Sequence, residues 1–193
     1  SINTDEGIGC CHHCGWTGTL ANGSRKSVNL HWRKPEYRKP EKVVESALSN
    51  GALEWLGDRG ISETTATDCG IYVSEVYMPQ SEEVKKAFVF PYYRDGELIN
   101  AKYRSGKKEF RSEVGAERIL YGLDDVKEGD TPVILVEGEM DKLSLWEAGF
   151  RNCVSVPDGA PHVNTKDYSS KFDFLNDDRL QDKQFILAGD NDA

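Results

Sequence analysis

The pattern of hydrophobic and polar positions changes several times along the chain, and each change marks an element. Residues 52–71, "ALEWLGDRGISETTATDCGI", read as two short helices with little chemistry of their own. Ser62 is placed to cap the second, and Gly70 to end it near Ile71. Residues 87–104, "AFVFPYYRDGELINAKYR", read instead as two strands joined around Asp95-Gly96, a good hairpin signal. The next eight residues, "SGKKEFRS", add a second turn and a third strand. Alternation along "LINAKYR" puts Asn100, Lys102 and Arg104 on one face and Ile99, Ala101 and Tyr103 on the other. One face of this sheet is therefore expected to be basic.

From Thr131 the pattern becomes α/β. "TPVILVEG" predicts a strand buried on both faces, "EMDKLSLWEAG" a helix ended by Gly149, "CVSVPDGAP" a second strand and loop, and "KQFILAGDNDA" a third strand. A parallel sheet stopped there leaves its last strand without a covering helix, so the chain is expected to be a piece of a longer protein. The expected fold class is an α+β basic subdomain followed by an α/β domain, whose mostly parallel sheet is truncated after the third strand.

Composition narrows the function classes. At 193 residues, two small domains are as plausible as one. Hydrophobic residues make up 38%, charged residues 30%, and mean hydropathy is -0.60, which suits a soluble globular chain. No apolar run approaches the roughly 18 residues of a membrane span, and no signal-peptide pattern opens the sequence, so no membrane partner and a reducing compartment are expected. A net charge of -9 argues against a nucleic-acid partner only on average. Between Arg25 and Lys42 seven basic residues face two acidic ones, a local +5, and between Arg94 and Arg111 six face three, a local +3. Two such patches can bind a polyanion locally.

Three of the five cysteines lie in "GCCHHCGW", while Cys69 and Cys153 stand apart. An odd, clustered set suggests metal rather than a disulfide framework. Only one C-x-x-C is present, Cys11 and Cys14, half of what a four-coordinate structural zinc needs. A metal-free reduced knuckle is the other reading of this cluster.

A second group of candidate ligands is acidic. Glu137 follows "VILV", and Asp190 and Asp192 follow "FILAG", so all three sit just beyond the carboxyl ends of predicted strands, where open α/β sheets bind ligands. If those strands are neighbours the three carboxylates converge, and such a set invites a hard cation such as Mg²⁺. Gly138 allows close backbone approach, and the helix start behind it favours phosphate. Asp141 suits capping or orienting that helix better than binding metal. Taken singly, "EGEMD" also reads as an acidic helix start and "DND" as a strand-end turn. Their matched positions favour the metal site.

"VEGEMD" followed by "GDND" resembles the signature of the Toprim domain, found in primases, topoisomerases and some nucleases. The succession of "CHHCGWTG", "LEWLGDRGISETT", "YYRDGELINAKYRSGKKEFR", "ERILYGLDDV" and "VSVPDGAP" is similar to the primase half of bacteriophage-type primase-helicases and their organellar relative Twinkle, from Cys11 to Asp192. The resemblance implies four parts: residues 1–22 as the C-terminal half of a zinc ribbon, 23–45 as a basic linker, 46–126 as an RNA-polymerase-like basic subdomain, and 127–193 as an incomplete Toprim domain. It implies catalytic Mg²⁺ or Mn²⁺ at Glu137, Asp190 and Asp192, and Zn²⁺ in the complete ribbon, with Cys11 and Cys14 its half-site. It also implies nucleotide or template contacts at Lys102, Arg104 and Lys108, with Gly138 and Asp141 beside them.

The activity so implied is synthesis of short RNA primers on single-stranded DNA from ribonucleoside triphosphates, next to a helicase domain in the same chain or ring. No G-x-x-x-x-G-K-[ST] occurs, so any helicase motor lies outside these residues. The expected location is the cytoplasm of a phage-infected or bacterial cell, or alternatively a mitochondrial or plastid matrix. Two rivals use the same residues: a Toprim nuclease, and a non-catalytic DNA-binding module beside a helicase. Tyr92, Tyr93 and Tyr103 could stack on bases or pack against hairpin neighbours.

Overall fold

The computed structural model describes residues 2–3, 8–10, 17–19, 36–40, 46–127, 129, 131–159 and 170–190. Two compact units are present, Ser1–Glu36 and Tyr37–Ala193. In the first, β1 (Ile2–Asn3), β2 (Ile8–Cys10) and β3 (Thr17–Thr19) form an antiparallel sheet in sequence order. Cys11 and Cys14, the expected zinc half-site, lie outside the described residues.

The second unit opens with α1 (Asn50–Gly57) and α2 (Glu63–Asp68). Ser49 and Ser62 cap them, their side chains accepting from the backbone N–H of Ala52 and Thr65 at 3.3 and 3.2 Å. Each cap satisfies one of the donors that a helix start leaves without an internal partner. Leu56 and Ala66 turn their side chains fully inward.

An antiparallel sheet follows, of β4 (Tyr72–Met78), β5 (Glu83–Arg94), β6 (Glu97–Ser105) and β7 (Phe110–Ser112), in that order. Asp95 and Gly96 both take positive φ, 55° and 74°, as a two-residue hairpin turn requires. Along β5, six consecutive residues from Ala87 to Tyr92 are buried, because both faces of the sheet are covered. Phe88, Phe90 and Tyr92 enter the main core, while Ala87 and Val89 join Val76, Met78, Ala101 and Tyr103 in a smaller cluster on the other face.

β8 (Val133–Val136), α3 (Glu139–Glu147), β9 (Cys153–Ser155) and β10 (Phe185–Ala188) make the α/β part, a parallel sheet in the order β10-β8-β9. β8 is the centre strand and buries Val133 and Val136. β10 is an edge with Leu187 75% exposed. The main core is continuous from Leu56 of α1 through Phe90 and Tyr121 to Val133, Leu143 and Leu180, so the helices and both larger sheets share one interior. Tyr121 also bridges Ser155 of β9, with N–H to O distances of 3.0 and 3.1 Å. No helix among the described residues is long and apolar enough to cross a membrane.

Candidate active site and basic cluster

Register puts the first acidic pair together. β10 and β8 are parallel neighbours, with Ala188 opposite Val136, so both chains leave the sheet side by side. The Asp190 N–H donates to Glu137 Oε1 at 3.1 Å. A Cβ on residue 189 would lie 2.8 Å from that same oxygen, so Gly189 is what lets the carboxylate approach. Asp192 lies outside the described residues.

Asp141 belongs to the same corner. It is the third residue of α3 and accepts from the backbone N–H of Gly138, the residue that caps the helix, closing one half of a capping box. A side chain at Gly138 would meet Asp141 Oδ2 at 3.0 Å. The Asp141 carboxyl is raised above its usual value, first by partial desolvation and then by the charge of Asp190, with Glu137 and Glu139 adding to it. Carboxylates brought this close favour a bound cation, and an all-oxygen donor set suits Mg²⁺ or Mn²⁺. Among the described residues no group of three or more metal-binding side chains is already gathered. Glu137 and Asp190 are the described carboxylates that could hold a hard divalent ion here.

Sequence reasoning missed Glu139, which is 5% exposed although it reads as one of three acidic residues at a helix start. Its carboxylate accepts from Lys102 Nζ at 2.8 and 3.1 Å and from the Tyr92 hydroxyl. Lys102 Nζ also donates to the carbonyl of Pro157 at 3.0 Å. Burial, and then the charge of Glu139, hold the Tyr92 phenol well above its usual value, so it stays a donor.

The alternation read along β6 holds from Asn100 to Arg104, with Ala101 and Tyr103 in the smaller cluster, but Ile99 packs against the main core where the register with β5 shifts, and the face carrying Asn100, Lys102 and Arg104 is not an open basic surface. These residues pair with Tyr92, Phe90 and Phe88, all in the main core, and Asn100 and Arg104 are buried with them. Tyr92 and Tyr103 are equally enclosed, which settles them as packing residues rather than base-stacking ones. Lys108 sits apart, exposed in the β6–β7 turn at φ 60°, its N–H donating to the Ser105 carbonyl.

Arg104 has a second cation near it. Its guanidinium lies 4.4 Å from the Trp55 ring centroid, and that of Arg59 lies 3.6 Å from the same centroid. Phe110 is 5.7 Å from Arg104 and 43% exposed. Arg104 Nη1 is buried without a hydrogen-bond partner among the described residues, and burial followed by Arg59 lowers the Arg104 guanidinium from its usual value. Two guanidiniums around one indole, one with an orphaned N–H, suit an anion. Helix α1 and the turn after it therefore contribute Trp55 and Arg59, contrary to their plain appearance in sequence. An R-G pair at a helix end carries no signal by itself; only packing shows what it faces.

Residues 131–193 match the Toprim domain family. Two curated proteins of Arabidopsis thaliana are similar: a primase homologue, 46% identical over 194 residues and 95% of this chain, and a chloroplastic/mitochondrial Twinkle homologue, 47% identical over 113 residues and 54% of this chain. The chain spans 56% of the former and 16% of the latter. Among solved structures, the primase fragment of the bacteriophage T7 primase-helicase superposes with TM-score 0.56 at 22% identity, over 97% of this chain and 73% of that one. A T7 lagging-strand polymerase complex with two primase domains gives TM-score 0.54 at 24% identity, over 77% and 68%. Residues 131–193 thus match the Toprim domain, and the chain is similar over 95% of its length to a plant primase homologue and over 54% to a plant Twinkle homologue, with the fold of a primase fragment.

Proposed function

We propose that this chain carries out template-directed synthesis of short RNA primers on single-stranded DNA, as the primase part of a Twinkle-like protein. The observation that carries the reading is the meeting of Glu137 and Asp190 at adjacent parallel strand ends, inside a region that matches the Toprim family. Glu137, Asp190 and Asp192 would hold Mg²⁺ or Mn²⁺, which when bound neutralises and orients a nucleoside triphosphate. Arg104 and Arg59 on Trp55 would take phosphate of the template or nucleotide, with Phe110 as an exposed face for a base. Lys108, exposed in its turn, would add to the positive potential along the same path. Cys11 and Cys14 would bind Zn²⁺ once a second ligand pair completes the ribbon.

The partner of such an activity is a helicase region, in the same chain or the same ring. The Twinkle homologue's name assigns that protein to chloroplast and mitochondrion, which supports an organellar matrix over a bacterial or phage-infected cytoplasm.

The test uses the full-length protein with single-stranded DNA, labelled ribonucleotides and Mg²⁺, comparing wild type with Glu137→Gln. Wild type should make short labelled oligoribonucleotides, and Glu137→Gln should lose at least about 100-fold of that synthesis with DNA binding nearly intact. Full synthesis by the variant would sink the assignment of Glu137. Cutting of DNA without ribonucleotides would replace the primase with a nuclease, and binding with neither reaction would leave a DNA-binding module.

A further inference from the structure

We propose that Glu139 is a positioning residue, and that Lys102 acts through it rather than by holding phosphate. This rests on the primase reading above and assigns a working part of the same site.

Lys102 turns its ammonium toward acceptors inside the protein. An ammonium has three N–H groups, and here its contacts are the two Glu139 oxygens at 2.8 and 3.1 Å and the Pro157 carbonyl at 3.0 Å. The carboxylate and the carbonyl hold the ammonium from two directions, and the Phe110 ring lies 5.6 Å from it. The ion pair is enclosed, its side chains being 14% and 6% exposed. A phosphate that drew Lys102 to itself would leave a buried carboxylate without its cation, which is strongly unfavourable.

The carboxylate, in turn, gathers donors from two strands. Tyr92 belongs to β5 and Lys102 to β6, while Glu139 opens α3 two residues after Glu137. Pro157 follows β9, so the ammonium also touches the far side of the parallel sheet. One side chain thus joins the antiparallel sheet, which carries Arg104, to the helix start, which carries Glu137 and Asp141. The separation of the anion-binding guanidiniums from the acidic corner is set there. A misplacement of about 1 Å in such a site can lower turnover roughly 100-fold without weakening substrate capture.

The experiment is a double-mutant cycle on the full-length protein, reading both primer synthesis and thermal unfolding. Glu139→Gln and Lys102→Met should each lower kcat by about tenfold or more, with KM for ribonucleotides within about threefold of wild type. The double variant should fall no lower than the worse single one, and the two effects on melting temperature should be non-additive. Tyr92→Phe, which removes one donor and no charge, should fold and show a smaller loss of kcat at unchanged KM. The proposal is overturned if Lys102→Met raises KM tenfold while Glu139→Gln does not, because Lys102 then binds nucleotide directly. Additive losses, or full kcat in Glu139→Gln, overturn it as well. A wild type that makes no primer but shows the melting coupling removes the primase reading and with it the positioning role, leaving a structural ion pair.

Discussion

Glu109 sits between the β6–β7 turn and β7, where Lys85 Nζ reaches its two oxygens at 2.9 and 3.0 Å and the Ser105 hydroxyl donates at 2.7 Å. These donors, the Lys85 hydrogen bond foremost, hold its carboxyl at about 2 instead of the usual 4.5. A depressed carboxylate favours the folded state above its unfolded value and loses that advantage as pH falls through its folded one. Thermal midpoints measured from pH 6 down to 2 should therefore fall between about 4.5 and 2 in wild type, and fall less over that window in Glu109→Gln. The sequence shows Glu109 only as one acid in a basic run. Its partner Lys85 is 24 positions away and is selected by strand pairing, which no local pattern specifies.

The elements were legible where the chain's own geometry determines them. Ser62 caps α2 as its sequence context indicates, since the cap needs only a hydroxyl and an N–H three residues on. The same hydroxyl donates to Glu147 of α3 at 2.8 Å, a second contact that sequence did not reveal. Ser62→Ala should destabilise the protein by about 1 kcal/mol, checked by urea denaturation. The Asp95-Gly96 hairpin and the strand ends carrying Glu137 and Asp190 were equally readable, because two-residue turns and apolar runs leave strong local marks. β5 was the harder case. Its unbroken apolar run hides the alternation, since the main core takes one face and a smaller cluster the other.

At the scale of the whole molecule, buried ion pairs join segments distant in sequence. Lys142, in a helix that reads as acidic and solvated, is 1% exposed. Its ammonium lies 2.7 Å from Asp125 Oδ2, 3.3 Å from Cys69 Sγ and 3.9 Å from the Trp146 ring centroid, tying α3 to the loop after Tyr121 and to the end of α2. Asp125 keeps some contact with solvent, its side chain being 29% exposed, whereas the lysine has almost none. Removing the carboxylate therefore strands a buried charge, while removing the ammonium leaves an acid that water can reach. Asp125→Ala should destabilise by about 3 kcal/mol, and Lys142→Met by clearly less, in equilibrium unfolding. Equal losses would show that the pair matters by packing alone.

By itself the sequence determined the helices, the Ser62 cap, the hairpin, the run of parallel strands and the placing of Glu137 and Asp190 at strand ends. Each of these follows from residues a few positions apart, whose spacing sets backbone geometry directly. Only the tertiary structure decided which charges meet. Lys102 faces Glu139 across 37 positions, and Arg104 meets Arg59 over Trp55 across two separate elements. A charged side chain is long and can turn to several partners, so its role is chosen by which elements pack beside it and how completely they exclude water.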